Sequence, residues 1–204
     1  MPKNIYKLRD GSIVAGVTTI INQLDKPALI NWAWKLGKEG KDWREERDSA
    51  GDVGTLVHEE VLRILSTNSS DETTCEPIVL NCIKKFMLMW YAEQMLRGFK
   101  LKLIEEPLVS ERLAFGGQLD IFARIEGKNR LIDIKTSNGI YDSAWLQLAG
   151  YDILLRENGY KVDEYQILWL PKDNRFDCPI RTDLRREKKI FKHLLEIYKL
   201  RREE

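Results

Sequence analysis

The segment RLIDIKT, residues 130–136, has the apolar alternation of a buried β-strand, but after Arg130 it also carries two charged side chains, Asp133 and Lys135. Successive side chains of a strand point to opposite faces of its sheet. Ile132 and Ile134 therefore share one face. Asp133 and Lys135 lie together on the opposite face, where an acid and a base inside an apolar strand call for an explanation.

The strand before it, residues 117–125, repeats the arrangement. Its apolar positions are predicted to share one face: Leu119, Ile121, Ala123 and Ile125. Asp120 lies on the opposite face. Two neighbouring strands thus each place a carboxylate, Asp120 or Asp133, among residues expected to be buried or in a cleft. Such a carboxylate costs several kcal/mol unless another group neutralises its charge.

Two interpretations of these carboxylates are open. A divalent cation would neutralise them, and hard oxygen ligands favour Mg²⁺ or Mn²⁺. Lys135 beside such an ion could hold a water molecule or help to deprotonate it, an arrangement typical of phosphodiester hydrolysis. Alternatively, Asp133 and Lys135 form a buried ion pair without catalytic function in a purely structural α/β domain.

Helical and β-like segments alternate along the rest of the chain, after an N-terminal hairpin predicted to turn at Asp10-Gly11. The segments predicted as helices are 26–38, 52–65, 78–96, 142–156 and 181–204. The segments predicted as strands are 100–110, 117–125, 130–136 and 162–170. This order predicts an α/β fold with a mixed sheet flanked by helices.

The composition suits one domain over residues 1–204, with 43% apolar and 32% charged residues. These fractions exclude a disordered chain and a membrane bundle. The parts expected within the domain are a hairpin and helical part (1–98), a sheet core (99–171) and a basic C-terminal helix (181–204). The net charge of +1 disfavours a non-specific DNA coat. The basic helix is either a local polyanion site or the solvated face of an amphipathic helix.

The sequence shows neither a membrane or secretory segment nor a pattern of paired cysteines. The best apolar run, residues 13–24, is about half the length that a bilayer needs, and residues 1–10 carry no secretory signal. Cys75, Cys82 and Cys178 are odd in number and lack CxxC spacing, which disfavours a disulfide framework or a zinc ribbon. We therefore expect no membrane partner and a reducing cytoplasm, which would be the host cytoplasm for a viral protein.

Several common catalytic motifs are absent from the sequence. His58-Glu59 begins an HExxH motif, but Leu62 stands where its second histidine would be. No GxSxG, Walker A or GxGxxG sequence occurs. These observations argue against a zinc protease, a serine hydrolase of that type and an ATP-binding site.

Two further features lie near the strand segments. Gln147 and Tyr151 are four residues apart, so they share one face of a predicted helix. Gly54 precedes His58 in the first turns of another helix and would allow close approach of the backbone. Either feature alone is more often structural than functional, but together with the carboxylates they form an ordered set.

This ordered set resembles the RecB-like, QxxxY branch of the PD-(D/E)xK nuclease superfamily. The motifs that carry the resemblance are GxxxH (54–58), GGQLD (116–120), LIDIKTS (131–137) and QLAGY (147–151). Similar proteins include phage-type exonucleases, the mitochondrial genome-maintenance exonuclease and CRISPR-associated exonucleases. The resemblance spans residues 54–170. It implies a restriction-endonuclease-like αβββαβ core with an N-terminal helical extension.

The resemblance implies a metal site for Mg²⁺ or Mn²⁺. Its ligands would be the side chains of His58, Asp120 and Asp133 and the backbone carbonyl of Ile134. Asp120 and Asp133 would be catalytic together with Lys135, which would orient or activate the attacking water and stabilise the charged transition state.

The resemblance also implies that Gln147 and Tyr151 bind the DNA substrate and brace the site. Glu105 matches an acidic position of many relatives, but the adjacent Glu106 leaves that assignment open. Asp133 stands where Glu is commoner in the superfamily. The three cysteines do not fit the four ligands of the iron–sulfur cluster found in some relatives, so we expect no such cluster. Since no Walker A sequence occurs, we also expect no ATP cofactor.

The function that the resemblance implies is a metal-dependent deoxyribonuclease, most simply an exonuclease acting on DNA ends in replication, recombination or repair. Its substrate would be DNA that is single-stranded or has free ends, and a recombination or replication protein is a candidate partner. The alternatives are a structure-selective or single-strand DNA endonuclease, and a non-catalytic DNA-binding module of the same fold.

Overall fold

The computed structural model describes residues 4–67, 76–173 and 175–202. In these residues helices flank two mixed sheets, so the fold is of the α/β class, as the sequence predicts. The helices are α1 (Val17–Ile21), α2 (Pro27–Lys38), α3 (Trp43–Thr67), α4 (Pro77–Arg97), α5 (Asp142–Glu157) and α6 (Arg185–Leu200). The strands are β1 (Tyr6–Lys7), β2 (Ile13–Gly16), β3 (Lys100–Ile104), β4 (Pro107–Ser110), β5 (Phe115–Gln118), β6 (Ile121–Ile125), β7 (Lys128–Lys135), β8 (Glu164–Trp169) and β9 (Ile180–Arg181).

The N-terminal hairpin is confirmed. β1 and β2 pair antiparallel, and Gly11 in the turn between them has a φ of 87°, which glycine adopts without strain. β2 then pairs parallel with β5 in the smaller sheet, whose order is β1-β2-β5-β4. The ring of Tyr6 lies over Gly16, where a Cβ atom would be 2.9 Å from Tyr6 Cε2. The same ring also lies over Gly116 of β5, so the hairpin is packed against β5 through a contact that a larger residue would obstruct.

The larger sheet, with the order β3-β6-β7-β8-β9, contains the segment 130–136 in its central strand. β3 with β6 and β6 with β7 pair antiparallel. α5 then crosses over, and β8 pairs parallel with β7, so that Asp133 lies opposite Ile167 and Lys135 opposite Trp169. Asp133 and Lys135 thus pair with β8 on one side and lie beyond the last pair of β7 with β6, Ile132 with Ile121.

Two of the predicted strands are each divided between the sheets. Segment 100–110 forms β3 and β4, and segment 117–125 forms β5 and β6. The backbone turns at Glu105, whose φ is 46°. The two segments also hydrogen bond to each other where they pass from one sheet to the other, because Glu105 N–H donates to the carbonyl of Asp120 at 3.0 Å. The prediction of two continuous strands was wrong because this pairing joins positions remote in sequence.

The division of the second strand also changes the position of Leu119. This side chain packs in the same cluster as Phe122, whereas Ile121 packs in the cluster on the other side of the sheet. Alternation holds only within one continuous strand, and the chain changes sheets at Asp120. The prediction that Leu119 shares a face with Ile121 was therefore wrong.

The helix predictions differ mainly at their ends. The helices predicted over 26–38, 78–96 and 142–156 agree with α2, α4 and α5 to within about two residues. α3 begins at Trp43, well before the predicted residue 52, because its first turns are polar and exposed and carry no apolar periodicity. α6 begins at Arg185, later than the predicted residue 181, because Arg181 belongs to β9. Residues 203–204 of the predicted helix lie outside the described residues.

Two apolar clusters lie on the two faces of the larger sheet. Leu131, Phe122 and Phe191 belong to the cluster covered by α1, α5 and α6. Ile132 and Ile134 belong to the other cluster, which α3 and α4 cover. The predicted faces of β7 are thus confirmed. None of the helices in the described residues combines the length and apolar character needed to span a bilayer.

Candidate active site

Asp120 replaces a backbone acceptor at the point where β6 separates from β7. The last residue pair of the β6–β7 ladder is Ile121 with Ile132. Beyond it, the N–H of Ile134 donates to Asp120 Oδ2 at 2.7 Å instead of to a strand carbonyl. This bond fixes the Asp120 carboxylate beside the end of β7 and satisfies a backbone donor that the sheet crossing would otherwise leave unpaired.

α3 brings His58 to the same carboxylate. His58 Nδ1 lies 3.8 Å from Asp120 Oδ2, and the two side chains are 23% and 17% exposed. One helical turn earlier, a Cβ atom on Gly54 would lie 3.0 Å from Thr136 Oγ1. Gly54 therefore lets α3 pass close to the end of β7, which explains the spacing of the GxxxH motif in physical terms.

Asp133 is the most buried acid of the site. Its side chain is 1% exposed, and Lys135 Nζ, on a side chain that is 25% exposed, lies 2.5 Å from its Oδ2. Apart from this ion pair, neither carboxylate oxygen has a hydrogen-bond donor within the described part of the chain. Buried polar atoms are normally paired, so two such oxygens on one carboxylate form an incomplete site.

Burial and charge shift the proton affinities of this pair. Burial, with the negative charge of Asp120 in addition, raises the pKa of Asp133 to about 6, although Lys135 and His58 act in the opposite direction. Burial alone would lower the pKa of Lys135, but the charges of Asp133 and Asp120 outweigh it and raise that pKa. Lys135 is consequently a cation at neutral pH, which suits holding an anion or a water molecule better than removing a proton.

Gln147 and Tyr151 reach the same centre from α5. Gln147 Nε2 donates to Tyr151 Oη at 2.9 Å. Burial, with the charges of Asp120 and Asp133 in addition, raises the pKa of Tyr151 well above its usual value, so its hydroxyl keeps its proton. A Cβ atom on Gly117 would lie 2.8 Å from Tyr151 Cε1, so the glycine gives the phenol room.

A cleft of about 480 Å³ adjoins this centre, and Tyr151 and Gly117 are among the residues that line it. Its other walls come from the N-terminal hairpin, α1 and the end of α6, including Tyr6 and Tyr198. The cleft is a space beside the acidic centre in which part of a substrate could lie.

The remaining predicted residues occupy supporting positions. Ile134 is buried and contributes its backbone N–H to Asp120. Glu105 also contributes backbone, while its side chain is exposed. Gly117 and Thr136 belong to the GGQLD and LIDIKTS motifs but were given no individual function from the sequence; they contact Tyr151 and Gly54.

The donor set is compatible in part with a divalent ion. Within the described residues, no group of three or more His, Cys, Asp or Glu side chains is arranged to hold an ion. The pair His58–Asp120 nevertheless fits, since two atoms bound to one ion at about 2.1 Å each lie at most about 4.2 Å apart. The unsatisfied oxygens of Asp133 also fit, provided that the ion competes with Lys135 for this carboxylate.

Comparisons with known proteins leave the family open. No family model and no curated protein matches this chain. Among solved structures, the chain is similar to the crystal structure of SSO0001, with 17% sequence identity, a TM-score of 0.37, and coverage of 74% of this chain and 75% of that one. A TM-score this low carries no argument about fold or function.

Proposed function

We propose that this chain is a metal-dependent DNA nuclease of the RecB-like PD-(D/E)xK type. The observation that carries the proposal is Asp133, a fully buried carboxylate whose oxygens have no hydrogen-bond partner in the described residues apart from the Lys135 ammonium group, next to the Asp120–His58 pair. This combination suits a divalent cation, because the cation would complete the coordination of oxygens that the protein leaves unsatisfied.

The strand topology supports the same proposal. Three antiparallel strands, β3, β6 and β7, are followed by α5 and by β8 parallel to β7, with α4 before them. This is the order expected for a restriction-endonuclease-like αβββαβ core. In that core, the proposed site lies at the end of β7, where the sheet opens beside Asp120.

The proposed metal ligands are His58, Asp120, Asp133 and the carbonyl of Ile134. When bound, Mg²⁺ or Mn²⁺ would polarise the phosphate and lower the pKa of an attacking water. Lys135, held as a cation by its acidic neighbours, would bind a phosphate oxygen or the water and stabilise the negative charge that develops during hydrolysis.

Gln147 and Tyr151 would position the substrate. The Tyr151 hydroxyl accepts from Gln147, so its own proton is directed elsewhere and can be donated to a phosphate oxygen. Its raised pKa prevents ionisation, and a phenolate would repel phosphate. The amide–phenol pair thus acts as a neutral donor beside the acidic centre.

One observation favours the competing interpretation of a purely structural α/β domain. Lys135 and Asp133 already form an ion pair at 2.5 Å, as a structural role requires. Titration with Mn²⁺ distinguishes the two. In a nuclease, Asp120→Ala weakens binding strongly, whereas in a structural domain this substitution leaves Mn²⁺ affinity unchanged.

Cleavage of end-labelled linear single- and double-stranded DNA with Mg²⁺ tests the proposal directly. We expect the wild type to degrade DNA and Lys135→Ala to be folded but inactive. Lys161→Ala is the matched control, because Lys161 pairs with Asp163 at 2.9 Å away from the site. Equal cleavage by wild type and Lys135→Ala would refute the function given to this lysine.

The same assay on closed circular DNA separates the alternatives. An exonuclease degrades the linear DNA and spares the circle, whereas an endonuclease cuts both. Binding without cleavage, in the presence of either metal, would identify a non-catalytic DNA-binding module of this fold.

A further inference from the structure

A groove of about 560 Å³ lies between α5, α6 and the turn that follows β4. We call it the basic groove. It is lined by six basic side chains and two acidic ones, so its formal charge is +4. The basic side chains are Arg112, Arg156, Arg185, Lys188, Lys189 and Lys192. The chain as a whole has a net charge of only +1, so the groove concentrates positive charge on one concave surface.

The two acidic side chains already have ion-pair or hydrogen-bond partners within the protein. Asp152 is fully buried and accepts from Arg156 Nε at 2.8 Å and from Lys188 Nζ at 2.9 Å, so these three groups together retain one positive charge. Glu157 accepts from the hydroxyl of Ser110 at 2.6 Å and from the backbone N–H of Arg112 at 2.9 Å. Both acids hold the walls of the groove in place.

Three of the outer cations lack such compensation. Arg112, Lys189 and Lys192 are exposed, and within residues 4–67, 76–173 and 175–202 none of them forms an ion pair with an acidic side chain. Arg185 pairs with the exposed Asp183 at 2.8 Å. Like charges gathered around a concave surface repel each other, and a bound polyanion relieves that repulsion.

We propose that the basic groove binds the phosphate backbone of a nucleic-acid strand. Arg185 and Lys192 are seven residues apart, which is about 10 Å along α6. That length corresponds to about three phosphates of one strand. Lysine and arginine contacts of this kind hold the backbone without reading its bases, so the binding is independent of sequence.

α5 connects the groove with the candidate active site. Gln147 and Tyr151 lie at the acidic centre, while Asp152 and Arg156 of the same helix line the groove. Arg156 is five residues beyond Tyr151, about 8 Å along the helix axis. Five residues also turn by about 140° around the axis, so a strand held in the groove would reach the centre by passing around α5. This step rests on the proposed function, whereas binding in the groove does not.

The test is the salt dependence of binding to a fluorescein-labelled single-stranded oligothymidylate, measured by anisotropy in EDTA. Each phosphate contact contributes about 0.7 to the slope of log K against log salt for single strands. We expect the double variant Lys189→Gln/Lys192→Gln to lower the slope by about 1.4. Arg112→Gln, on a different element, should lower it by about 0.7.

Arg186→Gln/Lys199→Gln is the matched control, since it removes the same charge from α6 outside the groove. Its slope should equal that of the wild type. Equal slopes for the wild type and the groove variant, or equal losses in groove and control variants, would overturn the inference. Binding of anionic lipid vesicles through the groove, with no binding of the oligonucleotide, would also overturn it.

The two proposals can fail separately. If the wild type binds the oligonucleotide with the predicted groove dependence but cleaves no DNA with Mg²⁺ or Mn²⁺, the proposed function fails and the groove remains. If it cleaves DNA and the slopes of all variants are equal, the groove inference fails and the nuclease remains.

Discussion

Asp133 Oδ2 lies 2.5 Å from Lys135 Nζ, although the carboxylate side chain is 1% exposed and the lysine side chain 25% exposed. Residues i and i+2 of a strand share a face, so β7 itself holds this pair together. The lysine is the nearest compensation for a buried negative charge, and apart from it neither carboxylate oxygen has a hydrogen-bond partner in the described residues. Lys135 therefore offsets part of the cost of burying Asp133 and also lies at the centre of the proposed site.

Lys135→Ala should lower the free energy of unfolding by about 1–3 kcal/mol, because it leaves a buried carboxylate without its partner. The protein should remain folded, since typical domains are stable by about 5–15 kcal/mol. Urea unfolding at neutral pH measures the change. Lys161→Ala removes an exposed ion pair and should have little effect. Unchanged stability in Lys135→Ala would mean that the ion pair contributes nothing.

The raised pKa of Asp133 predicts an unusual pH dependence. Its value of about 6, compared with the ordinary 3.8, means that the folded state binds this proton more tightly than the unfolded chain does. Asp133 therefore lowers the stability of the wild type as the pH rises from about 4 to 6, by about 3 kcal/mol in total. Asp133→Asn should gain stability relative to the wild type over that range, as measured by urea unfolding at several pH values.

Asp163 provides a control of opposite sign. Its ion pair with Lys161 and the N–H of Asn129 lower its pKa, so its ionised form stabilises the folded state. This stabilisation is present in full above the ordinary pKa of an aspartate and is lost as the pH falls toward the lowered pKa of Asp163. Asp163→Asn should therefore lose stability relative to the wild type as the pH rises through the acidic range. The same sign for both variants would contradict the assigned shift of Asp133.

The faces of β7 could be predicted from sequence because this strand is continuous and buried. The division of its neighbours could not be predicted, since it depends on a backbone hydrogen bond between Glu105 and Asp120, which lie on different segments. Local alternation carries no information about such a crossing. The start of α3 was missed for a related reason, because an exposed polar turn has no apolar period.

The components of the site were identifiable from sequence, but the groove was not. His58, Asp120 and Asp133 belong to short motifs whose order along the chain can be recognised. The basic groove adds Arg156 of α5 and Arg112 of a turn to four cations of α6, and the sequence indicated only the basic character of that last helix. Only their packing, with Asp152 buried between two cations, produces a concave basic surface.

Two glycines of α3 form a matched pair for testing how close the helix lies to β7. A Cβ atom on Gly51 meets nothing within 4 Å, whereas one on Gly54 would be 3.0 Å from Thr136 Oγ1. Gly51→Ala should stabilise the protein by about 1 kcal/mol through helix propensity. Gly54→Ala should lose most of that gain, and Gly54→Ala/Thr136→Ala should restore it. Equal thermal unfolding midpoints for the two single variants would contradict the close approach.

The two histidines of the chain allow the metal proposal to be tested with little ambiguity. His58 contacts Asp120, whereas His193 is 72% exposed and lies beside Glu196 on α6. Mn²⁺ should raise the thermal unfolding midpoint of the wild type, because a ligand that binds only the folded state stabilises it. We expect His58→Ala to weaken the apparent affinity at least about tenfold, which removes about 1.4 kcal/mol of that stabilisation.

His193→Ala should respond to Mn²⁺ like the wild type. If both variants keep the full response, His58 is not a ligand. If the wild type shows no response to Mn²⁺, the ion pair with Lys135 compensates the buried charge of Asp133 without a metal.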